Sequence, residues 1–382
     1  MVRLGDVCKI ISGYAFKSEE FITDGVPVIR ISNLDGETVN VDKNVCYSVE
    51  FLKNNDNFIV RKNDILMAMS GATVGKIGVY PNEYVALLNQ RVCNLKPVED
   101  KLNREYLNCY CQSDYFKSEI LKNAFGCAQP NISVKQIADF EIKILDLKSQ
   151  VSIANKLKNI LCLIEKRKLQ LHKLDELVKA RFVDMFGNPV RNEKNWDTVL
   201  LQDVCDGIGD GLHGTPNYVE TAEYPFINGN NLIGGKIVVT DTTKFVDEAE
   251  YGKYYIELSP NAILLSINGT LGKLALYRGE KIVLGKSACY CNLKSNMNRQ
   301  FVYNLMQTES FLNFLEENST RSTIKNVGLK AIRNFRMIIP PLELQWQFSV
   351  FVKQIDKSKL DIQKSLDKLE TLKKALMQKY FG

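Results

Sequence analysis

The chain has 382 residues, 45% hydrophobic and 25% charged, with a formal net charge of +6. It is long enough for two domains with real cores, and no run approaches the roughly 20 apolar residues that a membrane span needs. The mild positive charge permits a nucleic-acid partner without demanding one, and the opening Met1-Val2-Arg3-Leu4-Gly5-Asp6 has no apolar signal core, which points to a cytoplasmic protein.

Residues 1–145 are expected to form a strand-rich domain. Short apolar runs bounded by Gly, Asn, Asp and Pro read as strands: Val26 to Ile31, Asp64 to Met69, and Ile77 to Tyr80. A short helical stretch follows near 103–122. Residues 146–187 change period. Ile153, Leu157, Ile160, Ile164, Leu171, Leu174, Val178 and Phe182 recur at alternating steps of four and three, missing one position at Arg167. That is a heptad seam. Gly187-Asn188-Pro189 stops it.

The pattern then begins again. Leu4-Gly5-Asp6-Val7-Cys8 returns as Leu201-Gln202-Asp203-Val204-Cys205, and Cys93-Asn94-Leu95-Lys96 returns letter for letter as Cys291-Asn292-Leu293-Lys294. Phe186-Gly187 returns as Phe381-Gly382. Residues 188–341 repeat the mixed domain, with strands over Ala262 to Ile267 and Leu274 to Tyr277 and helix near 298–317. Residues 342–382 repeat the seam through Phe348, Val352, Ile355, Ile362, Leu366, Leu369, Leu376 and Tyr380, interrupted by Lys359 and Lys373. Pro340-Pro341 stands where a helix starts. The chain is therefore a duplicated domain, not a short solenoid repeat. Its predicted class is α+β: two pseudo-symmetric domains joined by a long antiparallel two-helix coiled coil. Helices of this length need a partner for their apolar seams, and each supplies the other's. The pair is expected to make a rod with one domain at each end.

Catalysis finds no host. A phosphate loop of the Gly-x-x-x-x-Gly-Lys-Ser/Thr type is absent. Asn188-Pro189-Val190 and Asn217-Tyr218 do not supply the tetrapeptide with which amino-methyltransferases hold a flipped base. Gly207-Ile208-Gly209-Asp210-Gly211 has the glycines of a cofactor turn without its strand–helix context, and reads as a turn-rich loop. His172 reads as a helix-surface residue and His213 as one of a polar set with Thr215, Asn217 and Tyr218, not a triad. The ten cysteines, Cys127 among them, lack metal-ligand spacing and read as reduced, mostly buried thiols. No metal site and no cofactor is expected on this chain.

What remains is polar loops at equivalent places with different contents. Copy one offers Tyr14 and Lys17, then Arg30, Ser32 and Asn33 after the Pro27 strand, Ser70, Thr73 and Lys76 in a glycine loop, and Asn89, Gln90 and Arg91 before the shared strand. Copy two offers His213, Thr215 and Tyr218, then Asn228, Asn230 and Asn231, then Asn268, Thr270 and Lys273, and finally Lys286 and Ser287. Arg bridges guanine O6 and N7, Asn and Gln bridge adenine N6 and N7, and Lys and glycine amides suit phosphates. A lysine kept beside changing Asn, Ser and Thr is what two readers of two different DNA sequences would show. Ordinary loop polarity explains any one loop taken alone.

The order domain, helix, domain, helix, with loops such as Asp210-Gly211-Leu212-His213-Gly214-Thr215-Pro216-Asn217-Tyr218 and Ser70-Gly71-Ala72-Thr73-Val74-Gly75-Lys76, resembles the specificity subunit of a type I restriction–modification system. Copy one departs from that pattern, with Ile11-Ser12-Gly13-Tyr14-Ala15-Phe16-Lys17 in place of the His213 loop. The resemblance implies a noncatalytic subunit that reads a split double-stranded DNA site, one half per domain, with the helices setting the gap. It implies two modification subunits that methylate adenine N6 with S-adenosylmethionine. It also implies restriction subunits, and ATP and Mg bound by partners instead of this chain. The competing reading is a coiled-coil scaffold whose globular ends bind proteins; salt-dependent binding of a duplex separates the two.

Overall fold

A computed structural model describes residues 1–124 and 130–382; Cys127 lies outside them. The chain divides into two units. The first comprises residues 1–169 and 363–382, the second residues 170–362.

In the first unit a four-stranded antiparallel sheet runs in the order Cys8–Ser12, Val92–Pro97, Ile65–Ala68, Ile77–Val79. A second sheet runs Cys46–Tyr47, Val26–Ile29, Ala86–Leu88, Ile59–Val60, with a parallel pairing of Val26–Ile29 to Ala86–Leu88. The strands Ile65–Ala68 and Ala86–Leu88 are buried along their whole length, so they are continuous apolar runs without alternation. Helices Arg104–Cys111 and Asp114–Ala124 cover one side and bury Tyr106, Tyr110 and Phe116.

The second unit repeats this plan. Its first sheet runs Cys205–Asp210, Ala288–Leu293, Ala262–Ser266, Leu274–Leu276. Its second pairs Tyr224–Ile227 with Val283–Leu284 in parallel, beside Lys244–Val246 and Tyr218–Val219. Helices Arg299–Leu305 and Glu309–Glu317 take the place of the earlier pair.

One expectation is corrected. Gly207 to Gly211 is not a turn-rich loop: Cys205–Asp210 is a strand paired with Ala288–Leu293. Its glycines mark an irregularity at Gly207 and a close approach at Gly209. The register shifts between Cys205 and Gly207, and a Cβ on Gly209 would sit 2.7 Å from Tyr290 Oη.

The two seams are single helices, Leu147–Phe186 and Leu342–Phe381, 40 residues each, about 60 Å at 1.5 Å per residue. The first is capped by Asp146, which accepts from Ser149 N at 2.9 Å, and is closed by Gly187 at φ +75°. In the first unit, Ile153 and Leu157 share a core with Leu376 and Phe381. In the second, Val178, Phe182 and Phe186 share a core with Phe348 and Val352. In each unit the start of one helix therefore lies beside the end of the other, and the pair is antiparallel. The seam interruption Lys359 is three-quarters buried and donates to Asp175 at 2.5 Å. A charge at a seam position with a partner on the facing helix favours one register over others.

The repeated Phe-Gly has a reciprocal role. Phe186, in the stretch that ends copy one, packs into the core of the second unit, 4.9 Å from the Phe301 ring. Phe381, in the stretch that ends copy two, packs into the first, 4.9 Å from the Tyr106 ring. A buried glutamine in the first turn of each long helix is also paired. Gln150 accepts from Asn103 N at 2.8 Å, and Gln345 accepts from Asn298 N at 3.3 Å.

Candidate nucleic-acid interface

In each unit the loops converge on one polar cleft, and main-chain geometry explains why. Gly13 and Gly211 run so close to the neighbouring strand that a Cβ would lie 2.1 Å from Leu88 O and 2.0 Å from Leu284 O. Just beyond them, Tyr14 N donates to Leu88 O at 2.8 Å and Gln90 N to Tyr14 O at 2.8 Å. In the second unit Leu212 N donates to Leu284 O at 2.7 Å and Lys286 N to Leu212 O at 3.0 Å. Two loops with unrelated sequences thus share one main-chain clamp.

A second strip closes the other side. Met69 N donates to Arg91 O at 2.8 Å, Gly71 N to Pro130 O at 2.9 Å, and Ile132 N to Met69 O at 2.9 Å. The counterparts are Ile267 N to Ser287 O at 3.1 Å, Gly269 N to Lys325 O at 2.9 Å, and Val327 N to Ile267 O at 2.9 Å. Gly71 and Gly269 hold φ of +78° and +76°, which a side chain would strain.

The first cleft has a volume of about 350 Å³ and is lined by Ser70, Gln90, Arg91 and Asn131. The second, about 460 Å³, is lined by Asp210, His213, Asn268, Lys286 and Asn326. His213 Nε2 lies 2.8 Å from Asp210 Oδ2. Among the described residues, no group of three His, Cys, Asp or Glu side chains could hold a metal ion.

The structure brings together Ser70, Gln90 and Arg91 in one unit, and His213, Asn268 and Lys286 in the other. The remaining candidates lie outside the clefts. Tyr14, 40% exposed, packs on Phe16, Phe51 and Phe58. Lys17 pairs with Glu20 and Arg30 with Asp42. Ser32, Thr215 and Thr270 are exposed, and Lys76 is half-buried. Asn89 Oδ1 accepts from Arg91 N at 3.2 Å. Tyr218 sits edge-on to Phe226. Lys273 reaches toward Asn230. Ser287 turns inward, donating to Asn228 Oδ1 at 2.8 Å while accepting from Gly229 N at 3.0 Å. The Ser70 and Thr73 hydroxyls are buried with no partner among the described residues.

Two candidates are corrected. Asn33 and Asn231 are buried and brace equivalent turns. Asn33 Oδ1 accepts from Arg30 N at 2.8 Å and its Nδ2 donates to Asn40 O at 2.7 Å. Asn231 Oδ1 accepts from Asn228 N at 3.0 Å and its Nδ2 donates to Val238 O at 3.0 Å. Both ends of each amide are engaged, so neither is free to read a base.

Sequence reasoning missed Asn131 and Asn326. A signal was present: Asn131-Ile132-Ser133-Val134-Lys135-Gln136-Ile137 matches Asn326-Val327-Gly328-Leu329-Lys330-Ala331-Ile332 at Asn, Lys and the last Ile. Each Asn faces a glycine-loop residue across an isolated bridge, Ser70 with Asn131 and Asn268 with Asn326.

Duplicated mixed domains, antiparallel helices within each unit and a cleft of hydrogen-bonding side chains in each define a two-part architecture. The profile of the type I restriction modification DNA specificity domain matches residues 1–173 and again 193–374. The chain belongs to that family, and its part is recognition of a DNA target, not catalysis. It is 22% identical to the EcoBI specificity subunit of Escherichia coli, over 100% of this chain and 85% of that protein. It is 20% identical to the StySPI specificity subunit of Salmonella potsdam, over 98% and 86%. Its fold matches an S subunit from M. genitalium at a TM-score of 0.59 and 15% identity, over 100% and 95% of the two chains. A second match, to a chain from a structural study of type I R-M complex assembly and conformational transition, has a TM-score of 0.61 and 18% identity, over 100% and 96%. No helix among the described residues is long and apolar enough to cross a membrane.

Proposed function

We propose that each unit reads one half of a bipartite, non-palindromic DNA target through its cleft. The two long helices fix the unread gap. The observation that carries this reading is the pair of clefts with one main-chain plan and different side chains. Gln90 and Arg91 offer one set of donors and acceptors, and His213, Asp210, Asn268 and Lys286 another. Base edges are distinguished by such sets, so equivalent clefts with unequal linings suit unequal half-sites.

The chain works as the address of a larger assembly in the cytoplasm. Two modification subunits methylate adenine N6 with S-adenosylmethionine, and restriction subunits using ATP and Mg join them against foreign DNA. Residues 1–145 and 188–341 are the target-recognition domains; 146–187 and 342–382 are the helical spacers.

Exchanging residues 1–145 for another recognition domain, followed by methylome sequencing of cells carrying the modification complex, tests this. One half of the methylated motif should change and the other should stay. A change in both halves would show that the units do not read independently.

A further inference from the structure

We propose that the second unit reads an adenine with two joined side-chain amides, Asn268 and Asn326. This rests on the reading that its cleft meets one half of the target, and adds which base it selects and with which atoms. The two residues face each other across an isolated antiparallel bridge. The hydrogen bonds Gly269 N to Lys325 O and Val327 N to Ile267 O, both 2.9 Å, hold the backbones on either side. Asn268 Nδ2 donates to Asn326 Oδ1 at 3.3 Å. That bond uses one donor and one acceptor. Asn268 Oδ1 and Asn326 Nδ2 remain, and both residues line the cleft.

Two primary amides joined by one hydrogen bond always leave an oxygen on one and an amino group on the other, whichever way round they are joined. That pair complements the major-groove edge of adenine, where N6 donates and N7 accepts. Guanine presents two acceptors there, O6 and N7, and sets O6 against the free oxygen. Cytosine offers a donor and thymine an acceptor, so each satisfies half of the pair. The main chain fixes the amides in advance, so little side-chain entropy is lost on contact.

Among the described residues, the bridge of the first unit carries no such pair. Ser70 stands where Asn268 does, and its hydroxyl is buried. A serine and Asn131 cannot make an amide pair. At this bridge the amide pair therefore belongs to the second unit.

The test is methylome mapping with the full chain and its modification subunits. Asn326→Asp keeps the shape but replaces the free donor by an acceptor. Adenine preference at a single position of one half-site should fall roughly 10- to 100-fold, with the other half-site unchanged. Ser70→Ala should leave that position alone. If Asn326→Asp methylates nothing, Asn268→Ser decides the matter: it removes the pair without adding charge, and should relax the same position. An unchanged motif in the decisive variant, or an affected position that is not adenine, overturns the inference while the two-half reading stands; a motif altered in both halves overturns both. A wild-type chain with no two-part motif overturns both.

Discussion

Phe186 and Phe381 give the sharpest test of the fold, because each belongs to one copy in sequence and to the other in packing. Phe186 is fully buried and Phe381 is 6% exposed. Phe186 touches Phe182, Phe301 and Phe348 at ring separations of 5.0, 4.9 and 5.5 Å. A buried phenylalanine removes about 200 Å² from water, worth about 5 kcal/mol at roughly 25 cal/mol per Å². Truncation to Ala keeps the Cβ but leaves a cavity, and such changes cost about 3–5 kcal/mol. For a unit of this size that lowers its melting transition by roughly 6–20 °C. The location discriminates more than the size. Hydrogen exchange read by mass spectrometry should show Phe186→Ala accelerating Arg299–Leu305 and the start of Leu342–Phe381, while Arg104–Cys111 stays protected. Phe381→Ala should do the reverse. Faster exchange in Arg104–Cys111 on Phe186→Ala would refute the reciprocal packing.

The glycine loops make a second case: Gly75 and Gly272 hold φ of +81° and +78°, and a Cβ would lie 2.8 Å from Ile120 Cγ2 and 2.5 Å from Leu312 Cδ2. Gly272→Ala should therefore cost more than about 1 kcal/mol and weaken duplex binding by the assembled complex; an unchanged melting curve would count against the loop geometry. A third expectation is alkaline instability. Burial pushes the Cys8 thiol up to about 12 from its ordinary 9.0, and the Tyr106 hydroxyl up to about 12 from 10.0. The native state keeps these protons where the unfolded chain has lost them, so stability is whole below about pH 9 and falls as pH rises toward 12. Melting temperatures measured from pH 8 to 11.5 should decline, and Cys8→Ala should soften the part that begins near pH 9. Finally, one heptad inserted in both long helices adds about 10 Å to each, and the unread gap in the methylated motif should widen by about 3 base pairs. An unchanged gap would mean that the helices are not the ruler.

The heptad seams were legible because a seven-residue apolar period has few other solutions; Ile153, Leu157, Phe348 and Val352 are all buried. The glycine loops were legible because positive φ restricts the residue type. The repeated Cys-Asn-Leu-Lys was more deceptive. Met67 pairs with Cys93, but its counterpart Leu265 pairs with Cys289, not with the matching Cys291. The strands are in the same register, with Val98 N on Val7 O matched by Lys294 N on Val204 O, and the repeated letters are two residues out of step with it. An offset of two keeps every side chain on its face, so the letters repeat without marking equivalent positions. Asn33 and Asn231 misled for a related reason: an asparagine that caps its own turn and one that reads a base are the same letter at the same loop. Gln150 and Gln345 were hidden by their position. A glutamine in the first turn of a helix suits solvent as well as a buried bond to the N-terminus of a neighbouring helix.

The clefts show how one duplicated framework can serve two addresses. Around each, one main-chain amide of the turn is spent on the clamp that holds it: Gln90 N on Tyr14 O, and Lys286 N on Leu212 O. On the proposed reading, base selection then falls to side chains, which can change without disturbing the clamp. The clamp leaves Gln90 equivalent to Lys286, and Arg91 to Ser287. At the second of these places the copies have diverged in role as well as in chemistry. Arg91 is exposed at its cleft, whereas Ser287 is folded into hydrogen bonds with Asn228 and Gly229. One unit has a long cation where the other has an internal brace. On the proposed reading, the first unit reaches outward with Arg91, and the second relies on Lys286, the His213–Asp210 pair and the Asn268–Asn326 amides. Substituting Ser287 by Arg would remove the brace before it added a reader. On the proposed reading, specificity is free to change at Gln90 and Lys286, but at Ser287 it is tied to the stability of the turn.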